Sequence, residues 1–267
     1  MEPNNFIAEV YRRMDLLLPK SKNQSVTIKY NDFINNIDAK SAVYQYKSLL
    51  PNDKNAKILD IGFGNGWFMA ACIELGYTNI YGVDFNGKEK MLDICKNSNS
   101  IIEVFNINSN IGDFLSENNK QFDFIHLSHV IEHIPKHSLL YIVDAIYMSL
   151  SNNGVALLRT PNMEGPLTSS DFYITLGHEY GFSASNLQSL LSICGFENIS
   201  YHDFSIYNPS VKQYIGNFLR GIFIAFIKFK YRLFGATGDN YYGQFGLELI
   251  VSAKRGNLPA LFSKKYK

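Results

Sequence analysis

A chain of 267 residues, 46% apolar and 18% charged, can bury one large core or one core with a small accessory region, and does not have the composition of a disordered chain. Its formal net charge of +1 provides no broad positive field for a phosphate backbone, so no nucleic-acid partner is expected. Cys72, Cys95 and Cys194 stand far apart with no C-x-x-C pair, which argues against a disulfide framework or a zinc knuckle and suits a reducing cytosol, the expected location.

The stretch "MEPNNFIAEVYRR" has no apolar run behind a basic start, so it does not read as a secretory signal. No apolar run approaches the roughly 20 residues that a bilayer span requires. Residues 1–50 hold two helix-like stretches, "FIAEVYRRMDLLL" and "AKSAVYQYKSLL", around an Asn-rich segment, and are expected to form a helical lid. From residue 56, short β-rich runs alternate with helical ones. "AKILDIG" reads as a buried strand, "GWFMAACIELG" as a helix closed by Gly76, "NIYGVDF" as a strand and "GKEKMLDICKN" as a helix. "IIEVFNI" and "FDFIHLS" are strands, "KHSLLYIVDAIYMSLSNNG" is a helix ending at Gly154, and "VALLRT" is a fifth strand. "SASNLQSLLSICG" is a helix, "NISYHDF" a sixth strand and "FGLELIVSAKR" a seventh. Such alternation predicts an α/β fold: a doubly wound, seven-stranded, mainly parallel sheet. The core is expected over 51–204, a helical insertion over 205–244, and the last strand and tail over 245–267.

The insertion contains "YIGNFLRGIFIAFIKFKYRLFG", in which apolar side chains surround Arg220, Lys228, Lys230 and Arg232. A helix packed on the domain or at a homodimer interface is the expected reading. A basic amphipathic helix on an anionic membrane surface, through residues 211–234, is the less favoured one, because apolar residues cover nearly the whole circumference.

"LDIGFGNGW" joins the first strand to the first helix of the core. Gly62, Gly64 and Gly66 let the backbone turn tightly and approach a ligand where a Cβ would collide. The spacing is G-x-G-x-G, and Trp67 stands where a dinucleotide fingerprint wants glycine, which weakens a nicotinamide reading. Asp60 adds a carboxylate suited to a cationic amino group. Asp84, at the end of the second strand, is placed to accept from ribose hydroxyls. Asp113-Phe114, after the third strand, offers an acceptor for an exocyclic amine and a ring for a purine. An amino acid, a ribose and an adenine in that order describe S-adenosylmethionine.

The run "ILDIGFGNGWFMAACIELGYTNIYGVDFN", followed by "GDFL", "FDFIHLSHVIEHIP" and "SNNGVALLRTPN", resembles the class I S-adenosylmethionine-dependent methyltransferases over roughly residues 56–162. The resemblance implies that Gly62, Gly64 and Gly66 hold the methionine part, Asp84 with Phe85 the ribose, and Asp113 with Phe114 the adenine, with Asp60 and Ser128 completing the cofactor set.

His129-Val130-Ile131-Glu132-His133 is literally H-x-x-E-H, a zinc-peptidase string if it forms one helical turn. Pro135 disfavours helical geometry at Ile134 and opens the next helix, so a zinc-binding helix through both histidines is not expected. The loop also resembles the E-x-x-E-H of some ubiquinone-type O-methyltransferases, which hold a divalent cation there. His129 replaces the first glutamate, so no obligatory metal is expected. His178, in the loop after the fifth strand, lies at the carboxyl end of the sheet where open α/β folds bind ligands. It is ranked first as general base and His133 second, since imidazole titrates near neutrality.

"TPNMEGPLTSSDFYITLGHEYGFSASNLQSLLSICGF" and the closing "GLELIVSAKR" resemble methyltransferases of bacterial capsule and O-antigen gene clusters through "PN", "HE" and "F-[ST]-x-x-x-L". That implies an oxygen acceptor on a nucleotide-linked sugar or related precursor, a phosphate or phosphoramidate oxygen included. Tyr30, Asn162, Tyr173 and Tyr242, with Tyr241, are the candidate acceptor-pocket residues. The alternatives are a quinone or amine methyltransferase, and a non-catalytic S-adenosylmethionine-binding scaffold of a glycan-assembly complex.

Overall fold

The computed structural model describes residues 29–85, 88–107, 111–118, 121–165, 172–173, 175–203, 210–233 and 246–257. The helix expected at 6–18, Tyr241 and Tyr242 lie outside the described residues.

Seven strands form one sheet: β1 (Lys57–Ile61), β2 (Asn79–Asp84), β3 (Ile101–Asn106), β4 (Phe122–Ser128), β5 (Leu150–Pro161), β6 (Phe196–His202) and β7 (Glu248–Arg255). Their order is β3-β2-β1-β4-β5-β7-β6, parallel except that β7 runs antiparallel to both β5 and β6. Helices α1 (Tyr30–Ile34), α2 (Ile37–Tyr46), α3 (Trp67–Glu74), α4 (Lys88–Asn97), α5 (Ile111–Asn118), α6 (Lys136–Ser149), α7 (Ala184–Ile193) and α8 (Val211–Leu233) fill the intervals. This is the doubly wound, mainly parallel fold that the alternating pattern predicts.

Burial explains the layering. Ile58, Leu59, Asp60 and Ile61 of β1 are all buried, as expected for a central strand covered on both faces. One face packs against Ala39, Ala42 and Tyr46 of α2, Phe68 and Met69 of α3, and Met91 and Ile94 of α4. The other packs against Ile111 and Leu115 of α5, Leu139, Ile142 and Val143 of α6, and Leu187 and Leu190 of α7. Strand order reverses between β1 and β4, and the crevice at their carboxyl ends is where such sheets take ligands.

Three local differences from the sequence reading have physical causes. The helix expected to run to Gly154 stops at Ser149, because Leu150 is fully buried and pairs with Phe122; the register then jumps to Phe124–Val155, leaving the intervening residues as a bulge in β5. Asp113-Phe114 lies inside α5, where Ile111 and Leu115, four apart, supply the buried stripe. The third concerns α8: among the described residues it has no substantial packing partner, and most of its large apolar side chains are exposed.

The glycine loop turns back under the β4 loop. Gly62 has φ +72°, and a Cβ there would stand 2.4 Å from Val130 Cγ2. Gly64 has φ +52°, but a Cβ there would meet nothing within 4 Å. Gly62→Ala should therefore cost about 2–4 kcal/mol, left-handed strain plus overpacking. Gly64→Ala should cost about 1–2 kcal/mol of strain alone. Thermal unfolding of the two variants checks the order; equal losses would contradict it.

Candidate active site

The carboxyl edge is built around a buried pair. Asp60, next to last in β1, stands directly opposite His126 of β4, and His126 Nδ1 lies 2.7 Å from Asp60 Oδ1. Both residues are almost fully buried. His126 Nε2 reaches the Tyr46 hydroxyl at 3.2 Å, and the imidazole stacks on Phe68 at 3.8 Å between centroids. Tyr46 also takes a hydrogen bond from the Arg159 guanidinium. The donors run in one sense: Arg159 to Tyr46 oxygen, Tyr46 hydroxyl to His126 Nε2, His126 Nδ1–H to Asp60. Burial pushes the Tyr46 phenol up to about 12, so it keeps its proton.

Arg159 continues the chain toward the surface. Its Nε and a terminal nitrogen donate to Glu248 Oε2 at 2.8 and 2.6 Å. Glu248 Oε1 lies 2.8 Å from His129 Nε2, and His129 Nδ1 lies 3.1 Å from Glu132 Oε1. The hydrogen bonds to Glu132 and then Glu248 push the His129 imidazole up to about 9, so it is a cation at neutral pH. Hydrogen bonding to His129 and the charge of Arg159 overcome the effect of burial and hold Glu248 below the usual carboxylate range. His129 adopts φ +55°, a left-handed conformation, which turns the chain out of β4 and brings its ring between the two carboxylates.

Glu132 is fully buried and pins three segments together. Its side chain accepts from Thr160 Oγ1 at 3.0 Å as well as from His129, and its carbonyl accepts from the backbone N–H of Glu179 and Tyr180. The H-x-x-E-H letters therefore do not form a zinc helix. Residues Ile131–His133 make one 3-10 turn, Ile134 is extended, and α6 starts after Pro135. His129 and His133 serve different partners.

The two candidate bases come together. His133 and His178 have ring centroids 4.6 Å apart, and each is half-buried. His133 Nδ1 donates to Gly177 O at 2.8 Å, and His178 Nδ1 donates to Phe172 O at 2.5 Å. Burial lowers the His133 value below that of an ordinary imidazole, and the charges of His178 and His129 reinforce the shift. Among the described residues, Glu132, His133 and His178 also form a group with one ligand atom each within 4.8 Å of the others.

A cavity of about 400 Å³ opens between the glycine loop and α2. Asp60, His126, Ser128 and Arg159 form its sheet side, Gly62 and Gly64 its loop side, and Asp38, Ser41 and Gln45 of α2 the opposing wall. Its residues fit S-adenosylmethionine on two counts. An acid and a guanidinium match an ammonium and a carboxylate, and the unfilled space at Gly64 leaves room for a chain lying against the backbone. Asp84 stands at the rim, accepting from Gly64 N–H at 2.8 Å, with Phe85 exposed beside it.

Other expected residues lie elsewhere. Asp113 is in the first turn of α5 and accepts from the Tyr141 hydroxyl at 2.7 Å; the positions that end β3 at the crevice are Asn106 and Ile107. Phe114 packs into the core beside Phe105. Asn162 is not an acceptor-pocket residue: it is fully buried, donating to Gly246 O at 2.7 Å and accepting from Glu164 N–H at 2.9 Å. Tyr30 packs against the core on the α2–α3 face of the sheet with its N–H on Asp93, and Tyr173 is largely exposed. The sequence reading missed His126, Arg159, Tyr46 and Glu248. A lone polar residue in the apolar run of β4 is the one signal that could have found His126.

The His129 cation makes a pH prediction. A value raised from 6.5 to about 9 adds stability that is complete below pH 6.5 and disappears as pH rises through 9. His129→Asn keeps a residue that tolerates the left-handed backbone and should abolish this alkaline loss. The difference should be about 1 kcal/mol or less, since the ring is partly solvated. Parallel unfolding curves for the two proteins from pH 6.5 to 9 would contradict the assignment.

Comparison with known proteins agrees with this geometry. Residues 39–201 match the family described as a methyltransferase domain. An S-adenosylmethionine-dependent methyltransferase structure from Archaeoglobus fulgidus superposes with a TM-score of 0.55 at 18% identity, covering 81% of this chain and 94% of that one. The 1,6-didemethyltoxoflavin-N1-methyltransferase of Burkholderia thailandensis, solved with S-adenosylhomocysteine, gives 0.54 at 13% identity over 96% and 87%. EEF1A lysine methyltransferase 2 of Mus musculus is 36% identical over 84 residues, 30% of this chain and about a third (32%) of that protein's length. The match spans well over half of the chain and includes the glycine loop, the β1–β4 crevice and both imidazoles, and the chain belongs to the methyltransferase-domain family, whose methyl donor is S-adenosylmethionine.

Proposed function

We propose that the chain is an O-methyltransferase of bacterial surface-polysaccharide synthesis, acting on a nucleotide-linked sugar or related small precursor at a sugar hydroxyl or at a phosphate or phosphoramidate oxygen. The single observation that carries the oxygen acceptor is the facing pair His133–His178, each with Nδ1–H anchored on a backbone carbonyl. A sugar hydroxyl must lose its proton as it attacks. An imidazole whose Nδ1 is so anchored is fixed in the tautomer that uses Nε2 as the basic nitrogen. Burial favours the neutral form of His133, so the pair does not require two adjacent cations near pH 7.

The bound donor supplies a methyl group on a sulfonium, a leaving group that needs no further activation. Arg159 and Asp60 hold the carboxylate and ammonium of its methionine end, the loop at Gly62 and Gly64 admits its chain, and Asp84 receives the ribose. His178 takes the acceptor's proton and His133 positions it. Bringing the two reactants into line accounts for more of the rate than the base does. Glu132 is committed to His129 and Thr160, so the Glu132–His133–His178 group acts here without an obligatory metal.

The polysaccharide setting rests on the resemblance of the run from "TPN" to "CGF". Several of its motif residues hold the loop that carries His178. Asn162 locks the end of β5, Phe182 and Leu187 are buried, and Ser183 caps α7 with a reciprocal bond to Asn186.

His178→Ala should lower kcat by about 10²–10³ while S-adenosylhomocysteine affinity stays unchanged. An unchanged kcat, with loss on His133→Ala, would transfer the base to His133. The acceptor class is read by supplying a labelled methyl donor with nucleotide sugars, phenols, quinols, lysine peptides and small amines in parallel, with and without a chelator. Nucleotide-sugar labelling that survives the chelator is expected. Labelling confined to an amine, a phenol or a quinol would overturn the acceptor, and loss with the chelator would overturn the metal-free reading.

A further inference from the structure

We propose that α8 is a docking face for an anionic lipid surface, on which the helix lies flat. Its sequence, "VKQYIGNFLRGIFIAFIKFKYRL", contains Lys212, Arg220, Lys228, Lys230 and Arg232 and no acidic residue. The chain holds 25 basic and 24 acidic side chains, so with five cations in this helix the rest of the protein carries 20 against 24. The helix is thus +5 on a body of −4, and the chain's positive excess is concentrated on one element.

Seven of the apolar residues form one straight stripe, with Tyr214, Leu219 and Phe223 exposed to either side of it. Val211, Ile215, Phe218, Ile222, Phe226, Phe229 and Leu233 follow one another at intervals of four, three, four, four, three and four, which keeps them on one side of a 3.6-residue helix. Every one of them is more than half exposed. Ile224 and Ile227 are half-buried and stand on the opposite side, so what shielding the helix receives reaches its back. Apolar residues thus stand on its back as well, as the sequence reading has it, but the stripe is the face that meets solvent. Lys212 and Lys230, about five turns apart, share a line along one edge of the stripe, and positions 228 and 232 border the other.

An apolar stripe edged on both sides by cations matches acyl chains below a sheet of phosphates. The charge pattern selects this occupant over a second copy. Two such helices would bring five cations against five, with no carboxylate in either to offset them. Crossing the bilayer does not fit either: among the described residues no helix is long and apolar enough to cross a membrane, and Arg220 sits near the middle of this one. The proposal does not depend on the acceptor assigned above.

The test is co-sedimentation of the full chain with phosphatidylcholine vesicles, with and without phosphatidylglycerol, at low and high salt. Binding to the anionic vesicles alone, weakened by salt, is expected. Phe218→Glu/Phe226→Glu should abolish it. Lys212→Glu/Lys230→Glu should weaken it by about tenfold or more, with the melting temperature and S-adenosylhomocysteine binding unchanged. Equal binding to neutral vesicles, no binding, or indifference to the lysine changes would overturn the proposal. So would a concentration-dependent dimer in sedimentation velocity that Phe226→Glu dissociates while vesicles are ignored; that result would assign the face to a second copy.

Discussion

The site depends on one constraint: ionisable groups at the carboxyl edge of the sheet can be buried only if each meets a partner of opposite character. Asp60 meets His126, His126 meets Tyr46, Tyr46 meets Arg159, Arg159 meets Glu248, and Glu248 meets His129, which closes on Glu132. Leaving any one of these unpaired would cost more than the pairing gains, as is general for buried polar networks. The chain of contacts runs through β1, β4, α2, β5, β7 and the turn after β4, so it fixes the relative positions of the elements that surround the cavity. A single antiparallel strand, β7, brings Glu248 opposite Pro161 and next to Arg159, and so joins the two halves of the edge.

The same constraint explains why the H-x-x-E-H letters mislead. Their glutamate is buried and holds three segments in register, and the first histidine serves as the cation between two carboxylates. Only the second histidine faces the space where His178 arrives. The turn thus has a structural part and a chemical part, divided between Glu132 and His133. The loop after β5 is arranged alike: Asn162 and Phe182 tie it down, and His178 is what it presents.

Much of this was legible in the residue order because it is local. The glycine spacing, the acids at strand ends and the alternation of strand and helix depend on neighbours a few residues apart, and Gly62, Gly64 and Asp60 take the positions those patterns imply. The remainder depends on contacts between distant residues. His129 and Glu248 are 119 positions apart and His126 and Tyr46 are 80 apart, so no local spacing reveals them. Asp113 stands in a helix because a carboxylate soon after a strand and one in a helix's first turn look the same in sequence, and α5 already begins at Ile111. Asn162 read as a pocket residue because a polar side chain at a strand end suits a ligand and a buried backbone lock equally well. The sequence offers His133 and His178 only as a choice between two bases, whereas the fold sets them side by side with their rings tilted to each other.

The most direct measurement is a crystal structure of the chain with S-adenosylhomocysteine. The expected density lies between the glycine loop and α2, with the amino acid end at Asp60 and Arg159, the ribose at Asp84, and the sulfur facing His133 and His178 across a gap sized for an acceptor. Density anywhere else, or a ligand in that cavity whose sulfur points away from both imidazoles, would contradict the site as a whole.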